Sequence, residues 1–196
     1  MHGPGVLLGG LAFYWELEPA NVELLEIASR IIDASMDKLV HTVDGELPSS
    51  DRVLRESCEG NWMQYRECSQ DALQFKGVFI RYLGVVLDLA HREPAAATAL
   101  GGEDKLATWQ AFVLNNAESI WSRAACTSAM AAAVGETREA LPIFGASWIG
   151  PCNTMPGGLT AVAQTSALDV LLVQMQLACR SELGANVSFP SPHRKS

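Results

Sequence analysis

Apolar residues recur at helical spacing through most of the chain, and polar interruptions divide it into five helices. The first runs from about Gly5 to Leu17. Asn21 stands where a cap would open the second, in which Leu24, Leu25, Ile27, Ala28, Ile31, Ile32 and Leu39 repeat along one side. A polar loop rich in Gly, Ser, Pro and charge follows from Asp44 to Ser69. The third helix lies within Ser69 to Glu93, and the linker EPAAATALGGED leads to the fourth, Asp104 to Arg123. After an alanine-rich stretch and the loop FGASWIGPCNTMPGG, a fifth spans about Leu159 to Arg180. No strand is expected. The tail GANVSFPSPHRKS reads as loop or disorder, so residues 1–182 form the domain and 183–196 its tail.

Several of these helices are apolar almost all round, which requires packing on more than one side. Their alternating short and long connections predict stacked helical hairpins, as in a bundle, a solenoid or an α/α toroid. No repeat of fixed period is present, which weighs against the solenoid and leaves a two-layered all-α array.

A few polar residues fall on apolar faces. At 100° per residue, Lys76 lies among Leu73, Ile80, Leu83 and Leu87, while Gln70, Asp71, Gln74, Arg81 and Asp88 gather opposite. A buried ammonium needs a partner, so Lys76 must reach water, find an anion or face a polar cavity. Asn116 projects between Trp109 and Phe112, either holding a loop carbonyl or lining a cleft. Trp148, in its Gly-rich loop, plugs the core or offers a flat face to a sugar. Gln164 and Ser166 open the fifth helix as capping or packing groups, or as ligands.

Composition narrows the partners. Of 196 residues, 48% are apolar and 18% charged, enough for a core and against disorder. Net charge is −8, and the short run His193, Arg194, Lys195 is the sole basic cluster, so nucleic acid is not an expected partner. No apolar run reaches the ~18 residues of a membrane span, and the start lacks the basic region of a secretory signal. Five cysteines leave at least one unpaired within the chain. Cys58 and Cys68 flank a polar loop and form a short staple if the protein is secreted, or remain thiols in cytosol. Asn186, Val187 and Ser188 make a glycosylation sequon. There is no G-x-G-x-x-G or P-loop pattern, the histidines are scattered, and the cysteines lack zinc spacing, so neither metal nor cofactor is expected. Nothing marks the two carboxyl groups a glycosidase needs.

The ordered blocks GVLLGGL, VLRESCE, DALQFKGVFIRYL, NNAESIW, FGASWIGP and QTSALDVL resemble the C-terminal half of glycoside hydrolase family 76, the endo-α-1,6-mannanase-like proteins of bacteria and fungi. The resemblance runs from Gly5 to about Arg180. It implies an all-α fold that is roughly half of an (α/α)6 toroid, the six-hairpin glycosidase architecture. It further implies a cleft for α-1,6-linked mannan, a retaining mechanism with two adjacent aspartates, and an extracellular or cell-wall setting, with fungal members in cell-wall assembly. Matching positions are Asp71, Gln74, Phe75, Lys76, Gly77, Phe79, Arg81, Asn116, Trp121, Gly145, Trp148, Gly150, Pro151, Gln164 and Ser166. Asp71, Gln74, Lys76, Asn116, Trp148 and Gln164 are therefore the expected glycan-contacting residues.

The sequence departs from the family in two places. It contains no Asp-Asp dipeptide, so no catalytic residue is assigned. Met1 to Gly5 replace the family's Thr-Tyr-Asn-Gln-Gly-like stretch, which fits a truncated gene or a decayed copy. The expected product is an inactive mannanase fragment; the alternatives are a non-catalytic mannan-binding module or a helical scaffold that self-associates through half-toroid surface.

Overall fold

Small residues on the facing sides of three helices let their backbones lie close together, and the rest of the fold is arranged around that seam. The structure is a computed structural model that describes residues 2–40, 52–56, 58–59, 68–69, 71–126, 142–150 and 159–184. In chain order they form α1 (His2–Leu17), α2 (Glu23–Lys38), a 3-10 turn (Ala72–Gln74) entering α3 (Phe75–Arg92), α4 (Pro94–Leu100), and α5 (Glu103–Ser119). A π-helical turn (Ile120–Ala124), β1 (Ala125–Cys126), β2 (Ile143–Phe144) and α6 (Ala161–Gly184) follow.

Helices α1, α3 and α6 lie side by side with α3 in the middle. Gly5 meets Phe79 and Gly9 meets Tyr82, while Gly77 meets Ser166 and Gly84 meets Val173. Residue numbers rise together on both seams, so all three helices are parallel. A second layer backs the first: α2 packs on α1, α5 on α6, and α4 bridges α3 to both. Its members are tied by polar contacts, with Asp33 accepting from Trp109 Nε1 at 3.0 Å and pairing with Lys105 at 2.7 Å. Ser29 donates to the Leu100 carbonyl at 2.9 Å. Leu8, Trp15, Leu25, Ile32, Phe79, Leu83, Trp109 and Val170 fill the space between layers.

The expected helices all form, with different edges. α2 starts without help from Asn21; Val22 is its cap position and no side chain caps it. The segment read as a linker contains α4, which begins at Pro94 and ends at Gly101 in the left-handed region (φ 115°). Short β1 and β2 pair antiparallel, Ala125 opposite Phe144 and Cys126 opposite Ile143, where no strand was expected. Residues 161–180 of α6 are long and apolar enough to cross a membrane by length and composition, correcting the expectation that no run reaches that length. Asp169, Gln174 and Gln176 break the run to the eye. The fifth helix continues to Gly184, past the boundary set at residue 182; the remaining tail, including Asn186, lies outside the described residues.

The seam sets a stability test. A Cβ on Gly77 would stand 2.6 Å from the Ser166 Cα and 2.7 Å from its carbonyl oxygen, whereas one on Gly3 meets nothing within 4 Å. Gly77→Ala is expected to lose about 2 kcal/mol in urea unfolding, and Gly3→Ala to lose none. Equal effects would show that the α3–α6 seam is not tight.

Candidate functional site

Lys76 is the second residue of α3, and its helical position turns it inward with Leu73, Ile80 and Leu83. It is 0% exposed. Its ammonium donates to the carboxylate of Glu59 and, at 2.6 Å, to the carbonyl of Ala146. The same nitrogen stands 4.6 Å from the centre of the Trp148 ring, a cation–π contact. Of the outcomes open to a lysine on this face, the structure selects the anion. Glu59 is itself buried, so neither charge is compensated by water.

Glu56 joins the same buried region. Burial pushes its carboxyl up to about 7, helped by the negative charge of Glu59 and opposed by Lys76. Two neighbouring carboxyl groups with one poised near neutrality are a pattern that acid–base chemistry uses. Here both are enclosed, at 3% and 2% exposure, and the arrangement holds chain segments together.

The other expected residues behave in the same way. Asn116 is buried; its Oδ1 accepts from the Leu54 amide at 2.8 Å and its Nδ2 donates to the Phe112 carbonyl at 2.8 Å, pinning the 52–56 segment to α5. Gln164 reads both backbone groups of Phe144, accepting from its amide at 3.0 Å and donating to its carbonyl at 2.6 Å. The Ser166 hydroxyl accepts from the Gly77 amide at 3.1 Å. Trp148 is fully buried, and its carbonyl accepts from Ser119 at 2.7 Å. Lys76, Asn116 and Trp148 thus have no surface to offer a sugar. Asp71 is exposed and Gln74 half-buried on the turn into α3, where neither side chain makes a cap. Cys58 and Cys68 form a disulfide, Cys126 is also disulfide-bonded, and Cys179 is free and exposed.

Glu56 and Glu59 were not singled out from the sequence, because they sit in a stretch whose composition reads as solvated loop. The available signal is Lys76 itself: a lysine on an apolar face calls for a carboxylate, and Glu-Ser-Cys-Glu brackets a cysteine that anchors that loop.

Grooves among the described residues carry accessible polar groups. Between α3 and α6, a groove of about 350 Å³ is lined by Arg81, Asp88, Asp169 and Arg180. Each guanidinium there is engaged: Arg81 forks onto Asp169 at 2.7–3.0 Å, and Arg180 pairs with Asp88. Between α5 and α6, a groove of about 360 Å³ is lined by Glu118, Trp121, Leu171, Gln174 and Met175. Trp121 rises from the π-helical turn, exposed, with its ring centre 6.0 Å from that of Phe144. No protein-family model, curated protein or solved structure matches the chain.

Two outcomes follow for the buried cluster. Lys76→Met removes the ammonium from Glu59 and is expected to cost about 3–5 kcal/mol of stability in denaturant titration; a variant as stable as the parent would show that the ion pair is not a clamp. Glu56 binds its proton more tightly folded than unfolded, so its stabilising contribution is complete below pH 4.5 and lost as pH rises to about 7. Glu56→Gln should flatten that decline, which amounts to about 3 kcal/mol. An unchanged pH profile would place the proton elsewhere.

Proposed function

We propose that this chain is the C-terminal half of an (α/α)6 domain of the family 76 type, and that it contributes framework and glycan-contacting surface to an α-1,6-mannan-acting glycosidase. The observation that carries this reading is the layer of three parallel helices backed by a second helical layer, an arrangement a toroid repeats around its axis. The ordered sequence blocks supply the mannan assignment. With no Asp-Asp dipeptide in the sequence and the buried carboxyl pair enclosed, no reacting acid or nucleophile stands out among the described residues.

Because Lys76, Asn116 and Trp148 are sealed in the core, the glycan-facing role passes to Trp121. An exposed indole beside the carboxylate of Glu118 and the amide of Gln174 suits a hexose, with C–H bonds against the ring and hydroxyls on the polar groups. A second reading, a helical scaffold without glycan affinity, is favoured by the same burial. Purified chain incubated with linear α-1,6-mannan is expected to bind it and release no reducing ends. Trp121→Ala should weaken binding at least tenfold without changing the melting temperature. Release of reducing ends would overturn the inactive reading, and absence of any mannan binding would leave the scaffold.

A further inference from the structure

The outer sides of the parallel layer are apolar and exposed. On α1, Val6, Leu7, Phe13, Tyr14 and Leu17 face solvent, with Leu17 78% exposed. At the other side of the layer, Leu168, Leu172 and Met175 of α6 do the same, and free Cys179 continues their line. Val6, Gly10, Phe13 and Leu17 follow the steps four, three, four, and so do Leu168, Leu172, Met175 and Cys179. Such steps mark one face of a helix. The two lines also stand at the same height: Gly5 lies beside Phe79 on α3, and Gly77 lies beside Ser166 on α6.

We infer that a second copy of this chain covers both faces, α1 of each copy lying along α6 of the other in a two-fold ring of six parallel helices. The area fits. With roughly 200 Å² for a fully exposed large side chain, the eight exposed apolar residues on α1 and α6 leave roughly 800 Å² per copy, which is what one partner contributes to a standard interface of about 1,600 Å². The charge pattern fits too. Each chain carries −8, which opposes association, yet Glu16 is the sole charged residue from Gly3 to Leu17 and none stands from Val170 to Cys179. Glu16 is held by Arg92. A two-fold arrangement uses both faces at once and closes, so no fibre grows from it.

A membrane is the competing occupant for α6. It is disfavoured because Asp169 and Arg180 pair with α3 within that span, and because a bilayer offers no reason for a matching line on α1. The pairing rests on the half-ring reading, the second copy standing where the other half would, and Met175 is shared with the Trp121 groove; oligomeric mass tests the pairing and mannan binding tests the groove.

Sedimentation equilibrium of the full chain is expected to give twice its 21.1 kDa mass. Phe13→Glu and Leu172→Glu should each return it to monomer with unchanged helical circular dichroism. Oxidised Leu17→Cys should form a disulfide-linked dimer through native Cys179, and the added change Cys179→Ser should abolish that link. A monomeric parent protein would overturn the ring. A link that survives Cys179→Ser would show α1 against α1 and overturn the pairing. Flotation of the parent with phosphatidylcholine vesicles, lost in Leu172→Glu, would give the face to lipid and overturn it as well.

Discussion

A charged nitrogen with no access to water dictates how the irregular parts of this chain are placed. The ammonium of Lys76 is anchored by the first turn of α3, and it requires an anion, a carbonyl and a ring around it. Glu59 comes from the loop before α3, Ala146 and Trp148 from the loop before α6. The two least regular described segments are therefore fixed to one point at the end of the helical layer. Buried ion pairs seldom add net stability over apolar packing, but they tolerate few alternative arrangements.

Two amides extend the same device. Asn116 holds the 52–56 segment and Gln164 holds β2, each by pairing backbone groups that short elements leave open. In both cases a helix supplies the side chain and an extended segment supplies the backbone.

Helical periodicity made the long elements legible, since each buries a stripe of Leu, Ile, Val or Trp at regular spacing. α4 was hidden because its seven residues are mostly alanine, which marks no face, although Pro94 and Gly101 stand at its two ends. The polar residues on apolar faces were visible as exceptions, but their partners were not. Asn116 and Leu54 are separated by 62 positions and Lys76 and Ala146 by 70, and no local pattern reports such pairing. Glu56 and Glu59 illustrate the same limit: composition describes how a segment looks to solvent, whereas a disulfide and an ion pair decide whether it faces solvent at all.

The shared direction of α1, α3 and α6 gives the molecule an electrical polarity. Parallel helices stack their macrodipoles side by side, gathering partial positive charge at one end of the layer and partial negative charge at the other. The carboxylate of Glu59 sits near the positive end of α3, while Arg92 closes α3 and Arg180 lies toward the end of α6, where the partial charge is negative. The first end is sealed and contains a group that titrates near neutrality; the second is open and held by partly exposed ion pairs. Acidity therefore acts on one pole and ionic strength on the other, because salt weakens interactions between exposed charges, screening them over a length of about 10 Å at 0.1 M, but barely reaches buried ones.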